Sequence, residues 1–458
     1  MSKIKIYFTL LLAIILAYFG SIKFGFSQDD WYFLHISTAK NFAEVLNFFN
    51  PWSQSGFAFY RPLGTQLYYY LAHTYFGLQS APTFMHIFMI LIQSLSAYNI
   101  YRLVKHLSKD LLLSFLIALI YATSSVHFLS FYYIAATQQL LAALFALLSI
   151  NNYLEQKSFK SGLYFGLALL SKEVAIVAPI IMILADFRIN HQDFKLSRRV
   201  YQIIPVGIVG LSYICLRIFG GLQVQSEYHL VLNSSVISTI RWYILFGYGA
   251  PEELVRYGLP KMMINYLAFI RDFGIIGFLT SIFPTIISLY MLVQLIIKLI
   301  NKNINVIIYG FWWVLALLPV LLLQDHRYPH YVDLALIPML LLILEDKSTK
   351  WRVTLSSLLI ILSACTIYLS ETVHWTTKRA KISESALSQL NQLKACEHNT
   401  WSYTGPNDDP KQLSYALSLS NGPSVICNQE IQVYYQGMTM GELPVNSYMI
   451  DTQGIEGI

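Results

Sequence analysis

Adjacent carboxylates in a chain this apolar are the first residues to ask about chemistry. Asp29 and Asp30, in "SQDDWYF", follow the first membrane-length apolar run and are themselves followed by Trp31, Tyr32 and Phe33. Three more charged features lie beside later apolar runs: Arg61 in "YRPLG", Lys172 and Glu173 in "LLSKEVAIVAP", and Asp325 with Arg327 and Tyr328 in "QDHRYPHY". Singly, each has an ordinary reading: a solvated helix end, a headgroup anchor, a local ion pair, an arginine snorkelling to the interface. Together they supply the parts of one reaction type. A carboxylate takes a proton from an attacking hydroxyl. Arginine and lysine neutralise a phosphate before and during its departure, arginine with bidentate geometry and lysine as a point charge. The Tyr and Phe residues of the first loop suit sugar faces and isoprenoid chains. These residue types point to a polyprenyl-phosphate-linked substrate.

That reading requires the four features to share one side of a membrane. Of the 458 residues 55% are hydrophobic and 12% charged, a composition that belongs to a polytopic membrane protein. The net charge of +6 gives no sign of a nucleic-acid partner. Basic clusters fall at Lys3/Lys5, Arg102/Lys105/Lys109, Lys157/Lys160, Arg188/Lys195/Arg198/Arg199, Lys298/Lys302 and Lys347/Lys350/Arg352. The positive-inside rule puts all six in the cytoplasm. About eleven crossings fit between them, among them short arms at about 160–171 and 174–186 and a late span at about 331–345. An odd number leaves the N-terminus cytoplasmic and the C-terminus extracytoplasmic, in a plasma (inner) membrane, with the first apolar run retained as a helix. The charged features then all face outward. The stretch 236–250 reads as an interfacial helix or one further span. Lys172 and Glu173, between the two short arms, form an ionisable pair at membrane depth, which by itself marks a functional site.

The expected organisation is a membrane domain over 1–373, with outer loops 23–83 and 220–272, and a small α+β extracytoplasmic domain over 374–458. In that domain "KRAKISESALSQLNQLKAC" reads as an amphipathic helix and "PSVICNQEIQVYY" alternates like a strand. Cys396 and Cys427 both lie there, where a disulfide is permitted; whether they pair stays open. Cys215 and Cys365 sit in apolar helices as packing residues.

"SQDDW", "YRPL", "LLSKEVAIVAP" and "HRYPHY", in this order between helices, resemble the GT-C membrane glycosyltransferases, in particular the protein O-mannosyltransferase branch and its bacterial relatives. The resemblance covers roughly residues 1–345. It implies an all-α polytopic fold of about eleven transmembrane helices and a sugar donor on dolichyl or undecaprenyl phosphate. It implies inverting transfer to an acceptor hydroxyl, protein or glycan. Asp29 is then the general base, with Asp30 as neighbour or substitute. Arg61, Lys172 and Arg327 contact the donor phosphate beside Tyr328, and Glu173 orients Lys172. No cofactor beyond the lipid-linked substrate is expected; a divalent metal is the disfavoured alternative, since the short loop "TSSVHFLSFYY" lacks a carboxylate and His326 and His330 read as interfacial or structural. The rival reading is a transporter or flippase, or a non-catalytic accessory protein, for lipid-linked glycans. A transporter calls for paired broken helices in two related halves, and one broken segment stands without a counterpart.

Overall fold

Helix α1 (Lys3–Tyr18) is apolar around most of its circumference, yet one side of it meets protein. Ile6, Leu10, Ile14 and Tyr18 are buried at i, i+4 spacing, while Ile4, Phe8, Leu12 and Leu16 are exposed between them. Large apolar side chains on the open face of a helix call for a hydrocarbon solvent. The computed structural model describes residues 2–52, 59–190, 196–220, 232–233, 235–259, 263–323, 326–390, 395–405, 409–438 and 447–452. Among the described residues, eight helical segments are long and apolar enough to cross a bilayer. They are Lys3–Lys23, Leu63–Ser108, Leu111–Tyr132, Ile134–Leu154, Tyr201–Phe219, Tyr266–Ile300, Ile304–Leu321 and Thr349–Val373. The chain is an all-α polytopic membrane protein that ends in a small helix-and-sheet unit.

After α1 come two short helices, α2 (Asp29–Ile36) and α3 (Phe42–Asn47), and then α4 (Tyr68–Ser108). A π turn over Leu63–Leu67 opens α4, and Gly77, at φ +69°, kinks it. Helices α5 (Leu111–Thr123), α6 (Phe128–Tyr132) and α7 (Thr137–Leu154) follow. Asp110 caps α5 by accepting the Leu112 and Leu113 N–H groups at 3.0 Å each. It also takes an ion pair from Arg352 at 2.5 Å, tying a far part of the chain to this helix start.

Helices α8 (Ser158–Ser171) and α9 (Ala178–Asn190) form the next pair, joined through a 3₁₀ turn over Glu173–Val177. Then come α10 (Leu196–Phe219), α11 (Ser235–Gly247), α12 (Tyr266–Ile300), α13 (Ile304–Leu321), α14 (Leu336–Leu344) and α15 (Thr349–Val373). Eight of the eleven expected crossings coincide with membrane-length helices; the other three are α8, α9 and α14, of 14, 13 and 9 residues. At about 1.5 Å per residue these fall short of a core of about 30 Å. Every residue of α14 is buried, so it is a core helix of the bundle. The stretch expected at 236–250 is α11, whose 13 residues are also too few to span.

The C-terminal unit opens with α16 (Trp375–Leu390) directly after α15. It continues through β1 (Thr400–Thr404), α17 (Asp409–Ala416), α18 (Asn421–Cys427), β2 (Gln432–Tyr435) and β3 (Tyr448–Asp451). The sheet order is β2-β1-β3 with both pairings parallel. A parallel pair needs a crossover, and α17 and α18 provide it between β1 and β2. Ile382, Ala386, Trp401, Tyr403, Leu413 and Ile450 belong to its own apolar core. "PSVICNQEIQVYY" is therefore half helix: Pro423–Cys427 complete α18, Asn428 at φ +51° ends it, and the strand begins at Gln432. Alternation there reflected an amphipathic helix end running into a strand.

Cys396 and Cys427 are joined by a disulfide that closes a loop across β1 and both crossover helices. A loop of that size contributes about 2–4 kcal/mol. Reduction of the folded protein is expected to lower amide-exchange protection in β1, α18 and β2 by that amount. Protection in α4, α5 and α7 should stay unchanged in the same hydrogen-exchange experiment.

Candidate active site

A cavity of about 810 Å³ lies where the connections at one end of the bundle meet the C-terminal unit. Asp29, Arg61, Lys172 and Tyr328 line it together with Gln138, Tyr133, Arg256, Trp375 and Arg379. A second chamber of about 380 Å³ shares Arg256, Tyr328 and Trp375 with the first and is otherwise walled by residues that include Glu252, Glu253, Arg327 and His374. Four of the residues named from sequence thus face one space, while Arg327 belongs to the adjoining chamber. Asp325 lies outside the described residues.

The two aspartates are adjacent in sequence but not in environment. Both occupy the first turn of α2, where the helix N-terminus favours negative charge. Successive helical residues point about 100° apart, so one reaches the cavity and the other turns into protein. Asp29 is exposed, and its N–H donates to the Tyr133 hydroxyl at 3.1 Å. Asp30 is fully buried. Its carboxylate accepts the Ser27 N–H at 2.8 Å and the Tyr69 hydroxyl at 2.5 Å. Burial pushes the Asp30 carboxyl up from its ordinary 3.8 to about 7, against the lowering effect of those hydrogen bonds.

Gln28, just ahead of this turn, has φ +55° and ψ −124°, a strained conformation for a residue with a side chain. The C-terminal unit holds it there. The Gln28 N–H donates to the Ala416 carbonyl at 2.8 Å, and the Gln28 Oε1 accepts from Arg379 Nη1 at 2.7 Å. Trp31 adds a further tie, its Nε1–H donating to Ser383 Oγ at 3.1 Å.

Glu173 has a different partner from the one expected. Its carboxylate is held bidentately by Arg61, through Nη2 and through Nε at 2.7 Å, and Arg61 Nη1 donates to Gln138 Oε1 at 2.8 Å. The expectation that Glu173 orients Lys172 is corrected on this point, because a planar guanidinium satisfies both carboxylate oxygens at once. Arg61 is buried, and a ring contact with Phe59 backs its guanidinium at 3.9 Å. Lys172, also buried, lies over the Tyr331 ring at 4.9 Å and has no carboxylate within ion-pair distance among the described residues.

Sequence reasoning missed Gln138, Tyr133, Arg256, Trp375 and Arg379. Arg256 and Arg379 stand in polar stretches with no local pattern that separates them from solvated cations. The one signal was aromatic company, Trp375 four residues before Arg379 on the same helix. Among the described residues no three His, Cys, Asp or Glu side chains gather as a metal site.

No family model and no curated protein matches the chain. Among solved structures, the fold is similar to that of an Archaeoglobus fulgidus oligosaccharyltransferase, crystallised with zinc and sulfate, at a TM-score of 0.41 and 11% identity. The match covers 94% of this chain and 62% of the other, so this chain spans less than two thirds of that protein.

Two outcomes follow from this geometry. Glu173→Gln removes the carboxylate charge that Arg61 grips through Nη2 and Nε, and is expected to destabilise the protein by up to about 3–5 kcal/mol. Thermal unfolding in detergent checks this, and adding Arg61→Gln should cost less than the two single changes summed. The second outcome concerns Asp30. Its folded pKa lies above the unfolded one, so its contribution is full below about pH 4 and lost as pH rises through about 7. Stability of the wild type relative to Asp30→Asn should therefore fall between these limits, read as the difference in melting temperature across a pH series.

Proposed function

We propose that this protein is a GT-C-type glycosyltransferase that moves a sugar from a polyprenyl-phosphate donor to an acceptor hydroxyl, with inversion. One observation carries the reading: a carboxylate with solvent access, Asp29, and a buried lysine, Lys172, line the same aromatic-walled cavity. Asp29 accepts the proton of the acceptor hydroxyl as that oxygen attacks the anomeric carbon from the face opposite the phosphate. The bond from the anomeric carbon to the phosphate oxygen breaks in the same step. The polyprenyl phosphate leaves with the electron pair, and Lys172 neutralises the charge that develops on it. Arg61 reaches this region already bonded to Glu173 and Gln138, which suits a fixed wall that positions the phosphate. Arg327 and Tyr328 extend the cationic and aromatic surface into the adjoining chamber.

Asp30 takes a supporting role in this scheme. Fully buried and hydrogen-bonded to Ser27 and Tyr69, it fixes the start of α2 so that Asp29 is presented to the cavity. The resemblance of the short motifs favours the protein O-mannosyltransferase branch and its bacterial relatives, with the reaction at the extracytoplasmic face of the plasma membrane. The N-terminus is then cytoplasmic and the C-terminal unit exported, an orientation in keeping with a disulfide in that unit.

Purified protein in liposomes, offered a panel of labelled polyprenyl-phosphate sugars with candidate acceptors, is expected to release polyprenyl phosphate. Asp29→Asn should lower turnover by about 10²–10⁴-fold, the usual worth of a general base. Lys172→Gln should reduce kcat more than it raises KM. Wild-type turnover in Asp29→Asn would remove the proposed base.

A further inference from the structure

With the Arg61–Glu173 pair set aside, the main cavity is lined, among the described residues, by three cations, Lys172, Arg256 and Arg379, against one carboxylate, Asp29. A single leaving phosphate accounts for Lys172. It does not account for Arg379, which enters from the C-terminal unit on α16 and has a different set of neighbours.

Arg379 is built to present its guanidinium. The group lies against two aromatic rings, 5.2 Å from the centre of Trp375 and 4.7 Å from that of Tyr415, both of which line the cavity. Stacking of this kind holds an arginine in place without using its N–H groups. Nη1 donates to Gln28 Oε1, while Nε, buried, has no acceptor among the described residues. No carboxylate pairs with it within 4.0 Å among those residues. A buried guanidinium N–H without an acceptor is costly unless a ligand supplies one.

Its position relative to the proposed chemistry is equally specific. Arg379 is bonded to Gln28, the residue before Asp29, and lies over Trp375 and Tyr415. Lys172 lies over Tyr331 and precedes Glu173, the partner of Arg61. The two cations therefore occupy different parts of one cavity, with Arg379 on the side of the carboxylate and Lys172 on the side of the Arg61–Glu173 wall.

We infer that Arg379 forms a second anion subsite, separate from that of Lys172, and that the acceptor carries a carboxylate or phosphate beside the hydroxyl it offers to Asp29. The identification of the acceptor rests on the transferase reading; the existence of two anion subsites does not. In the transfer step, Arg379 would hold the acceptor's anionic group through its Nη2–H groups, and so fix the hydroxyl within reach of Asp29. A planar fork distinguishes such an acceptor from neutral hydroxyl compounds of the same size.

The test is anion binding to the full-length protein in detergent, followed by tryptophan fluorescence, with Trp375→Phe identifying the share of the ring under Arg379. Inorganic phosphate and malonate are the probes. Wild type is expected to bind with a Trp375-dependent change that Arg379→Gln weakens at least tenfold and Arg379→Lys partly restores. Lys172→Gln should leave that change in place. Response to phosphate alone would assign a phosphate-bearing acceptor, and response to malonate a carboxylate-bearing one. Farnesyl phosphate, a short lipid phosphate, should compete at the Lys172 site and leave the Trp375 signal standing. Loss of that signal to farnesyl phosphate would place Arg379 with the donor and overturn the inference, as would an Arg379→Gln variant that binds like wild type. Far-UV circular dichroism and the intact Cys396–Cys427 bridge verify folding of each variant. The binding result stands whether or not Asp29→Asn abolishes transfer, so a failure of the one is separable from a failure of the other.

Discussion

The ion pair between Arg61 and Glu173 fastens together the parts of the chain that make the cavity. Arg61 ends the first long loop and Glu173 sits at the apex of the α8–α9 hairpin, 112 positions later. Gln138, at the start of α7, closes the third side through Arg61 Nη1. Packing leaves no slack: a Cβ on Gly64 would lie 2.6 Å from both the Gln138 Cβ and the Ser171 carbonyl oxygen. The backbone of the π turn must therefore run directly against α7 and the end of α8. A charge buried like that of Arg61 is stabilising only when its donors are matched, and the bidentate pair with the half-buried Glu173, with Gln138 beside it, supplies acceptors. Lys172 is then left next to the pair with no carboxylate within ion-pair distance among the described residues, and it lines the cavity.

The paired aspartates follow the same logic of dividing tasks between neighbours. One carboxylate, that of Asp29, is in solvent contact and lines the cavity. One buried with a tyrosine hydroxyl and a backbone N–H serves to hold the backbone. Placing both in one helical turn costs little, since the helix end offsets like charges and the 100° step separates the side chains. The alternating roles depend on Gln28, whose unfavourable φ turns the chain sharply enough for α2 to begin where it does.

Much of this was legible in the sequence, and the gaps have physical causes. Membrane helices were readable because about 20 apolar residues in a row have few other uses. The short helices divide in two: α8 and α9 are the short arms the sequence already suggests, whereas α14 carries the apolar signature of a span and is instead a buried core helix. Glu173 was assigned to Lys172 because sequence shows only adjacent partners, whereas Arg61 arrives through tertiary folding. Asp29 could be told from Asp30 only with the helix phase known, which Gln28 sets. Arg379 and Arg256 were invisible because an arginine among polar residues looks solvated until a cavity is seen in front of it. The strand assigned to "PSVICNQEIQVYY" failed at Pro423–Cys427, where short apolar alternation suits a helix end equally well.

The C-terminal unit has its own apolar core, its own sheet and its own disulfide, features of an independent module. Yet α16 follows α15 without a linker, and its residues complete the site rather than adorn it. Ala416 and Arg379 hold Gln28 in its strained turn, Ser383 anchors Trp31, and Tyr415 supplies one side of the arginine stack. Strain in a residue persists only when its surroundings over-determine it, and here much of the determination comes from the far end of the chain. The presentation of Asp29 is thus coupled to folding of residues some 350 positions away. A cavity with the ends of membrane helices on one side and a separate folded unit on the other draws its lining from both, so neither part of the protein forms it alone.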